Sequence, residues 1–172
     1  MNGHEEPKSV VRAERFELVD AAGHVRAALG TSKEGHIGLG IFDDDGNLRA
    51  ALHLPPDGSA RLSLGDGNGV ERAMLGVEPH GSPVLHLGDE TGKVRVLGHC
   101  DDGGSALTLF DAAGKPRAFL NTDTDDGTPA LILLDEGGEV RTTVTLGPTG
   151  RPEILLYDKD GTIMWKAPPP EQ

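Results

Sequence analysis

The sequence is poor in what usually makes a core or a reactive site. It has one cysteine, Cys100, so an intrachain disulfide framework is excluded. The plain reading of Cys100 is a small buried hydrophobe, set against a reactive or intermolecular thiol. Aromatic residues are only 3% of the chain and apolar residues 36%, so any core is thin and built from Leu, Val, Ile and Ala. Basic residues are outnumbered, 16 Lys and Arg against 28 Asp and Glu, for a net charge of −12. A phosphate backbone needs a basic stripe, so no nucleic-acid partner is expected. The same sign disfavours an anionic membrane surface. No apolar run approaches the roughly 18 residues of a membrane span. The stretch from Met1 to Pro7 has no basic segment leading into an apolar one, so no signal peptide is read there. The cytoplasm is the default location, and export by a route that reads no N-terminal signal stays open.

What the chain does have is a period. A D-x-x-G tetrad recurs seven times. Its Asp are Asp20, Asp43, Asp66, Asp89, Asp111, Asp135 and Asp158, at spacings of 23, 23, 23, 22, 24 and 23 residues. Its glycines are Gly23, Gly46, Gly69, Gly92, Gly114, Gly138 and Gly161. These fourteen residues are read as structural turn positions. Three residues beyond each glycine comes Arg26, Arg49, Arg72, Arg95, Arg117 and Arg141, and in the seventh copy Met164. A second glycine series runs Gly35, Gly58, Gly81, Gly103, Gly127 and Gly150. Glycine this periodic is turn chemistry rather than disorder.

Between the turns, apolar residues alternate with period two. Ile37, Leu39 and Ile41 lead into Asp43–Gly46; Leu48, Ala50, Leu52 and Leu54 lead into Pro55–Gly58; Ala60, Leu62 and Leu64 follow. That alternation marks strands with one buried face. A helix would carry recurrent interior glycines at about 1 kcal/mol each. Asp suits the start of a type I turn, and Gly the left-handed position after it. With a four-residue loop at Asp20–Gly23, Leu18 faces Val25, Phe16 faces Ala27 and Glu17 faces Arg26. The same rule groups Leu39, Ile41, Leu48 and Ala50, and pairs Leu52 with Leu62.

The fold predicted is all-β: a 23-residue repeat array of antiparallel hairpins, about 14 strands in one meander. Residues 1–13 read as a polar tail, 14–166 as the repeat domain and 167–172 as a Pro-rich tail. The rival is a β-solenoid with one coil per repeat, which would stack like charges about 4.8 Å apart. The meander leaves an apolar face too large for water. Its expected cover is a second copy, so a homo-oligomer is predicted, with a further protein partner possible. Candidate interface residues are Leu39, Leu62, Leu85, Leu107, Leu131 and Ile154. Outward positions near the C-terminus also turn apolar (Phe110, Phe119, Ile132, Leu134, Leu155, Tyr157, Met164), which adds Phe110, Phe119 and Tyr157 as contact candidates.

In period and turn spacing, residues 14–166 are similar to MORN repeats, which are also strung hairpins. Those carry a Tyr-x-Gly-x-Trp signature, whereas this chain has one Tyr, Tyr157, and one Trp, Trp165. Choline-binding hairpin repeats need aromatic cages and fit no better.

The chemistry on offer is sparse. The Arg series reads either as an anion-binding row or as surface side chains whose stems cover sheet and whose heads meet turn carboxylates. On the simple register its members face Glu17, Gly40, Ser63, His86, Thr108 and Ile132. The acidic turns Asp43-Asp44-Asp45, Asp101-Asp102, Asp123-x-Asp125-Asp126 and Asp158-x-Asp160 could offer oxygens to calcium, but none matches an EF-hand loop. The seven histidines form no metal-binding spacing, although His53, Arg61, Met74, His86 and Arg95 fall in one outward row on the same register. No nucleophile elbow, Walker loop or dinucleotide fingerprint is present. No cofactor, metal site or catalytic residue is expected. The function expected is structural or interaction-based and not enzymatic; the alternative is a ligand- or calcium-binding module on the Arg face or acidic turns.

Overall fold

The computed structural model describes residues 10–122, 127–147 and 149–168. Its strands are β1 (Arg15–Val19), β2 (Val25–Thr31), β3 (Ile37–Phe42), β4 (Leu48–Leu54), β5 (Ala60–Gly65), β6 (Glu71–Val77), β7 (Pro83–Gly88), β8 (Val94–Asp101), β9 (Gly104–Phe110), β10 (Pro116–Thr122), β11 (Pro129–Leu134), β12 (Val140–Leu146), β13 (Pro152–Tyr157) and β14 (Ile163–Ala167). They form one antiparallel sheet in sequence order, an open meander. The solenoid is thereby overturned, because every strand hydrogen-bonds to its immediate neighbours in sequence. The sheet runs one residue into the predicted C-terminal tail, since Ala167 pairs with Ile154. The rest of that tail beyond Pro168, residues 1–9 and the Asp123–Asp126 cluster lie outside the described residues.

The register departs from simple alternation at one recurring place. Leu18 pairs with Ala27 and Val19 with Val25, so Arg26 is left over as a bulge. The same extra residue is Arg49, Arg72, Arg95, Arg117, Arg141 and, in the last hairpin, Met164. A bulge places two residues of one strand against one of the other and moves the preceding residue to the opposite face. Glu17 therefore lies opposite Ala28, not Arg26. Leu48 pairs with Phe42 and leaves the leucine face to which alternation assigns it. A Cβ built on Gly40 would meet the ends of both Leu48 and Phe42 at 3.1 Å, which puts these three on one face.

Beyond the bulges the rows run unbroken. On the leucine face one row reads Phe16, Leu29, Leu39, Leu52, Leu62, Leu75, Leu85, Gly98, Leu107, Leu120, Leu131, Val144, Ile154 and Ala167. Beside it runs a row that alternates large and small over most of its length, from Leu18, Ala27, Ile41 and Ala50 through to Leu156 and Trp165. The central row of the other face starts at Glu17, Ala28, Gly40, Ala51, Ser63 and Met74 and ends at Thr143, Leu155 and Lys166.

Burial divides the two faces in an unexpected sense. Ala28, Ala51, Ser63, Met74 and Thr108 are buried, and all lie on the face opposite the leucines. Small side chains there sit low among larger neighbours. The leucine face is the open one: Leu52 is 60% exposed and Leu75 56%. Cys100, at the end of β8, is exposed rather than buried because it belongs to this uncovered side.

The seven D-x-x-G tetrads form the loops after the odd strands. Each closes by its glycine N–H donating to the carbonyl of its Asp: Gly23 to Asp20, Gly46 to Asp43, Gly69 to Asp66, Gly92 to Asp89, Gly114 to Asp111, Gly138 to Asp135 and Gly161 to Asp158, at 2.9–3.2 Å. All seven glycines are left-handed, with φ from +77° at Gly69 and Gly161 to +89° at Gly138. That is the backbone region an L side chain resists. The crowding around them is not uniform. An added Cβ meets Val70 Cγ1 at 3.1 Å on Gly92 and Lys93 Cε at 3.5 Å on Gly114, and nothing within 4 Å on Gly138 or Gly161.

The second glycine series departs from expectation once. The 22-residue unit is short because Asp101 pairs directly with Gly104, leaving a two-residue loop. The left-handed glycine there is Gly104, not Gly103.

Two glycines separate conformational from steric cost. Gly46 has φ +84° and nothing within 4 Å of an added Cβ, so Gly46→Ala is expected to cost about 1–2 kcal/mol from the left-handed backbone alone. Gly38→Ala would place its Cβ 2.3 Å from Leu52 O and is expected to cost more, by spreading β3 from β4. Urea unfolding of the two variants checks the order, and equal costs would refute the assigned cause.

Candidate functional site

The D-x-x-G-x-x-R series folds into one repeated device. In the first copy, Oδ1 of Asp20 accepts the backbone N–H groups of Ala22 and His24, at 2.9 and 3.0 Å. The pattern recurs at Asp43, Asp66, Asp89, Asp111, Asp135 and Asp158. In five copies the second carboxylate oxygen faces the bulge arginine six residues on. Arg95 Nε donates to Asp89 Oδ2 at 2.7 Å, Arg72 to Asp66 at 3.3 Å, and Arg141 to Asp135. Arg26 and Arg49 stand 3.7 and 3.6 Å from Asp20 and Asp43. The bulge is what makes this reach possible, because it swings the arginine back toward its own loop.

Basic or polar side chains then tie each such loop to the next. Arg26 pairs with Asp44. Asn47 Nδ2 donates to Gly67 O at 2.8 Å, and Arg49 Nε to Gly65 O at 2.9 Å. Arg72 Nε donates to Gly88 O at 3.1 Å. Lys93 reaches Ala112 O and Lys115 reaches Glu136 O, both at 2.9 Å. Arg141 donates to Asp158 O. Every gap between successive Asp loops is bridged, so one end of the sheet carries a continuous rail. Arg26, Arg49, Arg72, Arg95 and Arg141 are engaged by carboxylates and carbonyls of their own chain. Among the described residues they leave no open guanidinium row for an external anion.

These contacts set the acidity of the loops. Backbone donors lead the shift that holds Asp20, Asp66, Asp111 and Asp135 below the ordinary carboxylate range, namely the N–H groups of His24, Asn68, Lys115 and Glu139. Asp89 falls furthest, to about 2, led by the Thr91 hydroxyl and followed by the Thr91 N–H, the Lys93 N–H and Arg95.

The remaining candidates do not converge. Among the described residues no group of three or more His, Cys, Asp or Glu is placed to hold a metal ion. Met74 and His86 share the central row, His53 and Arg61 pair in the row beside it, and Arg95 sits in its bulge, so the expected single row is broken up. His36 and His53 make an edge contact at 5.5 Å between ring centroids, and desolvation lowers the pKa of His53.

The apolar candidates fall into two sets. Leu39, Leu62, Leu85, Leu107, Leu131 and Ile154 occupy one row of the leucine face. Where Gly98 interrupts that row, a hollow of about 570 Å³ opens between Leu75, Leu85, Leu107 and Leu120. Phe110, Phe119 and Tyr157 lie on the other side of the sheet, half-buried, with Ile132, Leu134 and Leu155. Sequence alternation finds both sets; it misses Leu48, which the bulge carries to the second side opposite Phe42.

No protein-family model matches the chain, and no curated protein matches it.

Asp20, Asp43, Asp66, Asp89, Asp111 and Asp135 have lower pKa values folded than unfolded, so their stabilisation is present above the ordinary carboxylate value of about 4 and is lost as pH falls through the folded values. Thermal stability is expected to fall somewhat as pH drops below about 6.5, because folding disfavours the charged form of His53, and to decline further from about pH 4 toward pH 2, where Asp89 titrates. A melting temperature unchanged down to that pH would contradict the rail. Asp89→Ala is expected to lower the melting temperature more than Asp158→Ala, because the seventh copy has Met164 in place of the arginine. Equal losses would mean that the arginine pairs add nothing to the loop hydrogen bonds.

Proposed function

We propose that this is a non-enzymatic structural or interaction repeat protein that self-associates through its leucine face. The observation that carries the reading is an uncovered apolar surface spanning the sheet. The chain exposes 12212 Å² of surface. A compact monomer of its 18.0 kDa exposes about 8,000 Å². The excess, about 4,000 Å² per chain, is ample for an obligate interface, which buries roughly 2,000–5,000 Å² summed over both partners. The leucine rows extend roughly 65 Å across fourteen strands, far beyond the apolar patch a monomer keeps in water.

A second copy is the cover that fits this surface. Two such faces would pack about 10 Å apart as a sandwich, and three could close a prism. Alternation of large and small residues along the second row, Leu18 to Ala50 and onward, is the relief that interdigitation needs. The hollow at Gly98 would receive a side chain from the facing sheet. Catalysis calls for unlike residues converging at one irregular place, and the most regular polar groups of this sheet, the loop Asp and five of the bulge Arg, are engaged in its own repeated turns.

Mass measurement by light scattering tests the proposal. The wild-type chain is expected as an oligomer at micromolar concentration. Leu75→Asp changes a side chain 56% exposed in the single chain, so it should cost little in a monomer but should disperse or unfold the assembly. A wild-type monomer, or a Leu75→Asp protein of unchanged mass, would refute the leucine face as the interface.

A further inference from the structure

We propose that the two open edges of the sheet join end to end, with β14 of one copy pairing against β1 of the next, so that a second copy of this chain continues the meander. This joint uses a different surface from the leucine face and does not depend on it.

Among the described residues both edge strands have a free side. Each is five residues long and has a single hydrogen-bonded neighbour. An unpaired edge is a template for another strand unless something blocks it. Direction is already suitable. Successive strands alternate in direction, so β1 and β14 are antiparallel, and copies related by simple translation present them as an antiparallel pair with both faces kept on their own sides.

The register is suitable as well. Joints that leave an even strand, such as β2 to β3, run straight without a bulge. Applied to β14, the same straight joint extends every row. Trp165 ends the row that Leu18 begins, Ala167 ends the row that Phe16 begins, and Lys166 ends the row that Glu17 begins. Lys166 of one copy then lies directly opposite Glu17 of the next.

Charge distinguishes a docking edge from a merely guarded one. Lys166 already pairs with Glu153 at 2.9 Å, and Arg15 with Glu17 at 2.5 Å. Across the joint these four read Glu153, Lys166, Glu17, Arg15, alternating in sign. Edges guarded only against pairing are well served by the same sign on both strands; here opposite signs meet in one row, and opposite charges directly across strands stabilise a pair. Pro168 follows Ala167 and limits the joint to the rows named. Such a head-to-tail contact closes into a ring or runs on as a filament.

Charge reversal in the full chain tests it by sedimentation velocity over a concentration series. Glu17 and Lys166 are exposed, and circular dichroism verifies that the variants keep the β spectrum. The wild type is expected to grow with concentration beyond its face-packed unit. Glu17→Lys and Lys166→Glu should each weaken that growth roughly tenfold or more at low salt. Mixing the two variants in equal amounts should restore it, because every joint between unlike variants then pairs opposite charges; the neutral variants Glu17→Gln and Lys166→Gln should fall between. A discrete species that Leu75→Asp disperses but the reversals leave unchanged would overturn the edge joint and leave the leucine face standing. End-to-end growth that survives Leu75→Asp and is lost in the charge reversals supports the joint as independent of the face. Failure of the mixture to recover would also overturn the joint.

Discussion

The structure depends on what one carboxylate does twice. In the hairpin at Asp89 the side chain uses one oxygen to gather two loop amides and the other to meet a guanidinium six residues on. The first act fixes the loop and with it the left-handed glycine, here Gly92. The second needs the arginine to turn back toward the loop, which a regular strand would not allow. Asp, Gly, bulge and Arg therefore act as one unit in five copies, while the seventh keeps loop, glycine and bulge with Met164 in place of the arginine. Because arginine, lysine or asparagine side chains also reach the neighbouring loop, the units couple laterally. In a one-layer sheet this matters more than usual, since no second layer among the described residues holds adjacent hairpins at a fixed angle.

The same economy of layers sets the central problem of the fold. A strand with one apolar face needs something to lay that face against. Here the face with small residues is the better buried, because Ala28, Ala51 and Ser63 lie beneath their own larger neighbours. The leucines, too long to hide in that way, stand out into solvent. Local packing thus satisfies the face that needs least cover and leaves the one that needs most. No rearrangement within so regular a meander can correct this, as its loops are too short to fold one half over the other.

Strands and turns were legible from sequence because both rest on local chemistry. Alternation at Ile37, Leu39 and Ile41 reports a pleat, and D-x-x-G reports a turn, whatever surrounds them. The glycines from Gly23 to Gly161 are left-handed for the reason their spacing from Asp suggests. The bulges were not legible, because Val25-Arg26-Ala27 alternates as a regular strand would. A simple count puts Val25 with Ala27, whereas the bulge carries Val25 to the far face beside Val19. One signal was available. An apolar residue precedes several of the Asp, and another precedes the Arg, as in Phe42 and Leu48 or Leu134 and Val140. Such pairs at the mouth of a loop make sense only if they face each other, and that requires the extra residue. Burial of the small-residue face was beyond alternation too, because it follows from how far each side chain rises above the sheet and not from its polarity.

A repeat array has no intrinsic end, since the last unit presents the same unpaired groups as any interior strand would if cut. What distinguishes an end is how the sequence departs from the repeat. The seventh hairpin replaces the arginine with Met164, and Pro168 stops donation just past Ala167. These changes relax the rail at the last described hairpin. Yet the apolar rows do not fade: Trp165 and Leu156 continue the sequence of large residues to the last strand, and Phe16 and Leu18 open it at the first. Terminal units adapted to water alone would be expected to turn polar on every row. Here the charges of the two edge strands are few, Arg15 and Glu17 on β1 and Lys166 on β14, and the proposed joint would set Glu17 against Lys166 while the apolar rows beside them run on.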